Sequence, residues 1–405
     1  GPMIAELVMQ TLIAQGAEVI DLGLSTTPTV EYEVVAEGAT GGIIITASHN
    51  PREWNALKLL NEKGEFISAE VGCMILEKAE SNQIKFASVD GQGKVIQKHD
   101  HASRHLKAIV EHQLVNANMI ANRKLKVVVD AINSSGAIFV PALLKMLGVA
   151  EKNIIVLNGE VDGKFAHNPE PLPQHLSELS AAVVANKADL GISVDPDVDR
   201  LVLVCEDGSM FGEEYTLVAV ADYVLSKIKG DTVSNLSSTR ALKDVTESHG
   251  CTYHPAAVGE VNVVAKMKAV NAVIGGEGNG GIIVPDFHYG RDALIGIALF
   301  LTFMSQSGKT ARQIRYSYPN YFISKNKIEL TDQSSLAGVF EKLKEKYKAY
   351  PLNTTDGLRI DFENDWVHLR ASNTEPIIRI IAESNFETTA NNIANKLIRD
   401  IQECL

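Results

Sequence analysis

The sequence predicts an α/β protein of several units: three related α/β domains with mixed sheets, closed by an α+β domain. Three observations carry this. At 405 residues the chain exceeds what one hydrophobic core organises. Apolar runs of strand length at 42–45, 125–129, 154–156 and 189–194 alternate with longer segments of helical period. Such alternation belongs to α/β folds with largely parallel sheets. A strand-helix-strand pattern also recurs around 18–46, 124–194 and 231–275, each copy ending in a glycine-rich or Asp-rich loop. The expected divisions are 1–99, 100–207, 208–316 and 317–405.

In the last division the pattern changes. Runs at 325–330, 357–362, 366–369 and 377–382 read as antiparallel strands. Residues 389–405 form an amphipathic helix with Ile393, Leu397 and Ile401 on its apolar face, beside Ala390, Ala394 and Ile398. At the front, residues 3–14 read as a helix feeding a strand at 18–22, with no strand before it. An α/β unit normally opens on a strand, so the expectation is a missing first segment, with Gly1-Pro2 as a cleavage scar, or numbering that starts after an unseen stretch.

Lys and Arg total 38 against 50 Asp and Glu, a net charge of −12, and no basic block could track a nucleic-acid backbone. Nucleic acid is therefore excluded as an expected partner. A small anion is not, because a few Arg, Lys, backbone N–H groups and a metal make a site locally positive. Cys73, Cys205, Cys251 and Cys404 are scattered without a close pair, which fits a reducing cytoplasm better than zinc or disulfide chemistry. The longest apolar runs, such as 295–301, fall short of the ~20 residues of a membrane span. A cytoplasmic protein with no membrane partner is expected.

Four segments carry chemistry. Thr46-Ala47-Ser48-His49-Asn50-Pro51 follows the strand at 42–45, and catalytic loops in such sheets lie at the carboxyl ends of strands. A lone Ser in a turn is more often a cap than a nucleophile. Asp195-Pro196-Asp197-Val198-Asp199-Arg200 follows the strand at 190–194. Carboxylates at alternate positions of an extended loop can turn toward one point, and that charge calls for a hard cation with oxygen ligands, Mg²⁺ by default. An EF-hand is rejected: Glu206 falls at the twelfth position, but the sixth is Arg200 where a Gly belongs, and no helices flank the loop.

The third segment, Gly275-Gly276-Glu277-Gly278-Asn279-Gly280-Gly281, follows a strand at 272–274. Its glycines would let backbone approach a ligand, with Glu277 and Asn279 facing sugar hydroxyls. It lacks the context of a dinucleotide-binding loop. The fourth, Arg370-Ala371-Ser372-Asn373-Thr374-Glu375-Pro376 with Arg379 behind it, combines guanidinium forks, hydroxyls, an amide and backbone N–H groups into a phosphate cradle. An ordinary hairpin turn with a surface Arg explains it about as well.

Together and in this order the four segments resemble the α-D-phosphohexomutase superfamily, whose four domains each bring one loop to a central cleft. The likeness runs through T-A-S-H-N-P, D-P-D-V-D-R, G-E-G-N-G-G and R-A-S-N-T-E-P. Asn55 and Lys58, the stretch at 163–169, and Val258-Gly259-Glu260 agree as well. The resemblance implies a phosphoserine at Ser48 and Mg²⁺ held by Ser48, Asp195, Asp197 and Asp199. It further implies substrate contacts from His49, Arg200, Gly259, Glu277, Asn279, Arg370, Ser372, Asn373, Thr374 and Arg379. Lys58 is the expected general acid and base, a role open to a lysine whose pKa is lowered by burial or nearby positive charge.

The implied reaction moves a phosphoryl group between the 1- and 6-positions of a hexose phosphate through a bisphosphate. Glucosamine phosphate, or mannose and glucose phosphates, are the candidate substrates. A metal-dependent phosphatase and a catalytically silent sugar-phosphate binder remain as rivals. Oligomeric state is left open. Three features depart from the family pattern: its leading strand with an Arg that approaches the phosphoserine is absent, the sugar loop reads E-G-N-G-G where E-x-S-G-H is common, and Val261 follows Gly259-Glu260 where many members carry a basic residue.

Overall fold

The computed structural model describes residues 1–50, 53–81, 83–329, 336–371 and 377–404. Two of the α/β units share one topology. In the second, β5 (Val127–Asp130), β6 (Ile154–Leu157), β7 (Leu190–Val194) and β8 (Leu201–Cys205) lie in the order β6-β5-β7-β8, parallel except for β8. In the third, β9 (Thr232–Asn235), β10 (Tyr253–Ala256), β11 (Ile274–Glu277) and β12 (Gly281–Ile283) repeat this as β10-β9-β11-β12, with β12 antiparallel. The repeat read from the sequence is therefore a repeat of sheet order as well as of composition.

The first unit differs. Its β1 (Val19–Asp21) pairs in parallel with β4 (Val95–Gln97), and β2 (Gly42–Thr46) pairs antiparallel with β3 (Ala56–Leu60). Among the described residues these pairs form two separate two-stranded sheets. The closing unit is a five-stranded antiparallel sheet, β13 (Phe322–Glu329), β17 (Ile377–Ser384), β16 (Trp366–Ala371), β15 (Leu358–Asp361) and β14 (Leu352–Asn353) in spatial order. Its helix Glu387–Cys404 buries Ala390, Ala394, Leu397 and Ile401, while Ile393 and Ile398 pack at the core's margin.

The second and third units share one continuous core that runs from Leu106 to Tyr318. At its centre lies the helix Ala293–Ser307, buried from Ala293 through Thr302. A helix apolar on all sides has to be enclosed, and here protein encloses the run at 295–301. Asp292 caps it, its Oδ1 accepting from the N–H groups of Leu294 and Ile295. Among the described residues no helix is long and apolar enough to cross a membrane.

One expected boundary moves. The strand read at 272–274 begins at Ile274 and continues through the glycines to Glu277. A Cβ on Gly275 would lie 2.6 Å from the Met267 sulfur and 2.8 Å from the Val233 carbonyl oxygen. These glycines are strand residues packed too closely to carry side chains.

Candidate active site

The Asp loop sits between two strands of the second unit, following β7 and leading into β8. Both strands are buried along their whole length, so their connection is held in the interior. Val198, fully buried, turns the loop with φ of 63°. For a β-branched residue that conformation is strained by about 1–2 kcal/mol. The Val198 N–H donates to the Asp195 carbonyl, and its own carbonyl accepts from Ala293 N–H at 3.2 Å, which holds the turn. The result brings carboxylate oxygens of Asp195, Asp197 and Asp199 within 4.8 Å of one another, all buried.

Their partners show how such charge persists. Asp195 Oδ1 accepts from the backbone N–H groups of Asp199 and Arg200, each at 3.1 Å, and its Oδ2 accepts from Ser48 Oγ at 3.2 Å. Asp197 Oδ2 accepts from Thr27 Oγ1 at 2.6 Å and Lys58 Nζ at 2.7 Å. Asp199 Oδ2 accepts from Arg291 Nη2 at 2.8 Å and Lys58 Nζ at 3.1 Å. Oδ1 of Asp197 and Oδ1 of Asp199 are buried with no hydrogen-bond partner. Burial pushes the Asp195 carboxyl well above its usual range, with Asp199 and Asp197 adding repulsion. Asp199 moves the other way: burial opposes its charge, but the Arg291 and Lys58 cations outweigh it. Unpartnered oxygens and an under-compensated Asp195 are what a divalent cation with oxygen ligands would satisfy.

The first unit brings its residues to this loop. Ser48 follows the end of β2 with φ of 48°, its N–H donating to Thr46 Oγ1 at 2.8 Å. His49 Nδ1 lies 3.4 Å from Ser48 Oγ, and burial together with the Arg200 guanidinium holds its pKa down. Arg200 is 8% exposed, with its Nε 4.0 Å from Asp195 and 3.9 Å from Asp199. Lys58 stands on β3, opposite Ile44 of β2. The depressed lysine expected from burial is not what forms: burial does disfavour its charge, but Asp199 and Asp197 outweigh burial and hold the ammonium above its ordinary range.

The third unit's loop reaches the Asp loop through Arg291. Its guanidinium donates to Asp199 at 2.8 Å and to Glu277 at 2.7 Å, and pairs by charge with Glu260 at 2.9 Å. Glu277 Oε1 also accepts from Asn235 Nδ2 at 2.8 Å and from Gly259 N–H at 3.1 Å. Asn279 Oδ1 accepts from Gly281 N–H at 3.2 Å. The loop glycines face protein: a Cβ on Gly278 would meet the Glu214 carboxylate at 1.9 Å, and one on Gly280 the Leu201 carbonyl at 2.4 Å. Here the glycines allow close packing against the second unit and the helix that follows it.

In the closing unit Arg370 and Arg379 are direct cross-strand neighbours on β16 and β17. Arg370 Nε bonds both oxygens of Asp356, at 3.1 and 2.9 Å, and Asp356 accepts in turn from Val258 N–H at 2.9 Å. Ser372, Asn373 and Thr374 lie outside the described residues. A chain of contacts thus runs from Ser48 through Asp195, Asp199, Arg291, Glu277, the adjoining Gly259 and Val258, and Asp356 to Arg370, across all four units. Beside it opens a cleft of about 530 Å³ lined by Lys58, Phe66, Gly259, Glu260, Asn262 and Arg291. Sequence reasoning missed Thr27, Arg291 and Asp356; the signal available for Arg291 was only a charged pair, Arg291-Asp292, ahead of an apolar helix.

Loops of three α/β units that meet at one site, with Arg370 of an antiparallel cap linked to them, define an enzyme class for which sequence models exist, and all four of its domain models match. Models of phosphoglucomutase/phosphomannomutase α/β/α domains I, II and III match residues 1–86, 103–208 and 212–321, and the C-terminal domain model matches 327–399. The chain belongs to the α-D-phosphohexomutase superfamily. Among its relatives, a phosphoglucomutase/phosphomannomutase of Thermococcus kodakarensis is 34% identical over 408 residues, covering 100% of this chain and 88% of the relative. A phosphoglucosamine/phosphogalactosamine mutase of Sulfurisphaera tokodaii is 30% identical, covering 99% and 89%. The crystal structure of a phosphoglucomutase/phosphomannomutase family protein from Burkholderia thailandensis superposes with a TM-score of 0.85 at 24% identity, covering 100% of this chain and 87% of that one, which supports the fold.

Proposed function

We propose that the chain is a Mg²⁺-dependent phosphohexomutase that carries phosphate on Ser48 and exchanges it between the 1- and 6-positions of a hexose. Glucosamine phosphate is the first candidate substrate, supported by the name of the Sulfurisphaera relative. The single observation that carries the reading is the Ser48 hydroxyl, 3.2 Å from Asp195 at the edge of a buried cluster of three carboxylates. A surface Ser that merely caps a turn would not be seated there.

Ser48 Oγ, Asp195, Asp197 and Asp199 would hold the cation, which when bound supplies charge neutralisation to a phosphoryl group in transit. Transfer requires a sugar hydroxyl oxygen to form a bond to phosphorus as the bond to Ser48 Oγ breaks, with the hydroxyl proton leaving and the serine oxygen regaining one. Lys58, held charged by Asp199 and Asp197, is the proposed acid and base: it gives its proton to the serine oxygen and, once neutral, takes the proton that leaves the sugar hydroxyl, so no proton is gained or lost. His49 and Arg200 border the serine and are proposed to contact the moving phosphate. The distal phosphate is assigned to Arg370 and Arg379 with Ser372, Asn373 and Thr374. Sugar hydroxyls are assigned to Glu277, Asn279 and the Gly259 backbone.

The test is turnover on glucose, mannose, glucosamine and N-acetylglucosamine phosphates, followed by product chromatography and intact mass. Wild type should isomerise at least one sugar and carry one phosphate, whereas Ser48→Ala should lose both. Orthophosphate as the product would replace the mutase by a phosphatase. Full turnover in Ser48→Ala would end the covalent mechanism.

A further inference from the structure

Behind the Asp loop lies a second cluster of ligand-type side chains that the phosphoryl chemistry does not use. His105 stands on the helix His101–Glu111, while His288 and Asp292 sit four residues apart at the entry to the central helix. His105 is fully buried, Asp292 likewise, and the His288 side chain is 10% exposed. Asp292 Oδ2 lies 3.1 Å from His105 Nε2 and 3.2 Å from His288 Nε2, and its Oδ1 is already committed to the helix cap. One carboxylate oxygen and two imidazole nitrogens therefore converge.

The far side of each imidazole is backed by an acceptor. His105 Nδ1 meets Thr29 Oγ1 at 2.9 Å, and that hydroxyl bonds Thr26 Oγ1 at 2.6 Å. In the tautomer whose Nδ1–H donates to Thr29, the Nε2 lone pair faces Asp292, the arrangement in which the two groups can share a cation. His288 Nδ1 faces Glu31 Oε2 at 3.5 Å. Glu31 is 1% exposed, and neither of its carboxylate oxygens nor His288 Nδ1 has a hydrogen-bond partner. Glu31 is thus a buried polar side chain facing His288 that no donor among the described residues satisfies, an independent sign that the cluster lacks a component.

Ligand spacing agrees. Bonds of roughly 2.0–2.1 Å in a tetrahedron place neighbouring ligand atoms ~3.3 Å apart, close to both measured edges. Metal-bound imidazoles typically donate their other N–H to a carboxylate or hydroxyl, which is the role open to Glu31 and Thr29. Tyr32 and Phe287 stack on the His105 ring, with centroids 5.1 and 5.6 Å away, and help keep the site dry.

We propose that His105, His288 and Asp292 form a second, nitrogen-rich metal site for a zinc-like divalent ion, with Glu31 and Thr29 orienting the imidazoles and one position left for water. The site ties the helix Thr27–Ala36 of the first unit to the central helix of the third. Both elements also touch the Asp loop, through Thr27 to Asp197 and through Ala293 to Val198. Its role is to fix the frame in which the Asp loop is held, and it is independent of the Ser48 chemistry.

The test uses Co²⁺ as probe on the full chain, stripped with chelator and kept in excess Mg²⁺ to occupy the oxygen site. One equivalent of Co²⁺ should bind with the intense visible band of a four-coordinate ion. That band should vanish in His288→Gln and persist in Asp195→Asn. Absence of the band in wild type overturns the proposal, as does an undiminished band in folded His288→Gln. Should His288→Gln fail to fold, Glu31→Gln decides: Co²⁺ binding about tenfold weaker supports the site, and unchanged binding overturns it.

Discussion

The first and second units meet at the site but are built to different standards. In the second, β5 and β7 are buried at every residue, and Val127, Val128, Val129, Leu190 and Ile192 are fully enclosed. In the first, among the described residues, only Val34, Ile44 and Leu60 form a buried apolar cluster, and no residue of the helices Pro2–Ala14 or Ala69–Glu80 is buried. Met3, Leu7, Met74 and Leu76 are all more than half exposed. What places Ser48 and Lys58 is therefore less their own core than bonds made across the boundary, from Thr27, Lys58 and Ser48 to the Asp loop. The difference teaches that a loop enclosed by buried strands can serve as the template on which a loop with little core of its own is positioned.

The largest expected effect lies in amide exchange. Protection follows the local free energy of opening, with each 1.4 kcal/mol worth a factor of ten. Amides of Val127–Asp130 should therefore exchange on the order of a thousandfold more slowly than those of Val19–Asp21. Equal protection, read by exchange mass spectrometry, would dissolve the contrast between the units.

Paired leucine truncations should sharpen it. Leu143 is fully buried in the shared core, so Leu143→Ala should destabilise by about 2–5 kcal/mol. Leu7 is 65% exposed, and Leu7→Ala should stay within about 0.5 kcal/mol. Denaturant melts of both variants check this, and a Leu7→Ala loss as large as that of Leu143→Ala would show that the first helix packs against something in solution.

Legibility from sequence followed the same division. The Asp and Ser loops were readable because each follows an apolar strand; for the Asp loop that strand, β7, pairs in parallel with β5, and the carboxyl end of such a strand is where a loop can act. Lys58 was readable by likeness alone: its strand is short, it pairs antiparallel, and nothing local foretells that Asp197 and Asp199 will reverse the effect of burial on its charge. A second reason for the glycines, contact with Glu214 and Leu201, could not be read from the sequence, since it exists only after folding. Arg291 was invisible because its partners lie at 199, 260 and 277, and no periodicity connects residues that meet only in space.

Asp197 tests the boundary itself, since its Oδ2 takes Thr27 and Lys58 from the first unit while its Oδ1 is left for a cation. Asp197→Asn should weaken Mg²⁺ binding by roughly 10–100-fold, about 1.4–2.8 kcal/mol, and should raise exchange in the helix Thr27–Ala36. Calorimetry showing unchanged Mg²⁺ affinity would remove Asp197 from the metal site. Unchanged exchange would show that the first unit does not lean on it.

The smallest effect concerns a titratable clamp within the second unit. His167 Nε2 lies 2.8 Å from Asp130 Oδ2 at the end of β5, and Asp130 Oδ1 accepts from Asn158 at 3.0 Å. The hydrogen bond to Asp130 raises the His167 pKa against the pull of burial. Burial works against the Asp130 charge, but His167 and Asn158 overcome it and lower its pKa. A raised histidine stabilises fully below its unfolded pKa of ~6.5 and loses that contribution as pH rises through the folded value. A lowered aspartate stabilises above ~3.9 and loses it as pH falls through its folded value. The clamp is therefore strongest between ~4 and ~6.5, where both groups are charged, and weakens toward alkaline pH. The melting temperature of wild type should exceed that of His167→Gln at pH ~6 by about 2 °C, corresponding to on the order of 1 kcal/mol, and the gap should shrink by pH ~9. A gap that stays constant between the two pH values would mean that the pair holds the loop by shape alone, leaving the stiffness of the second unit to its apolar core.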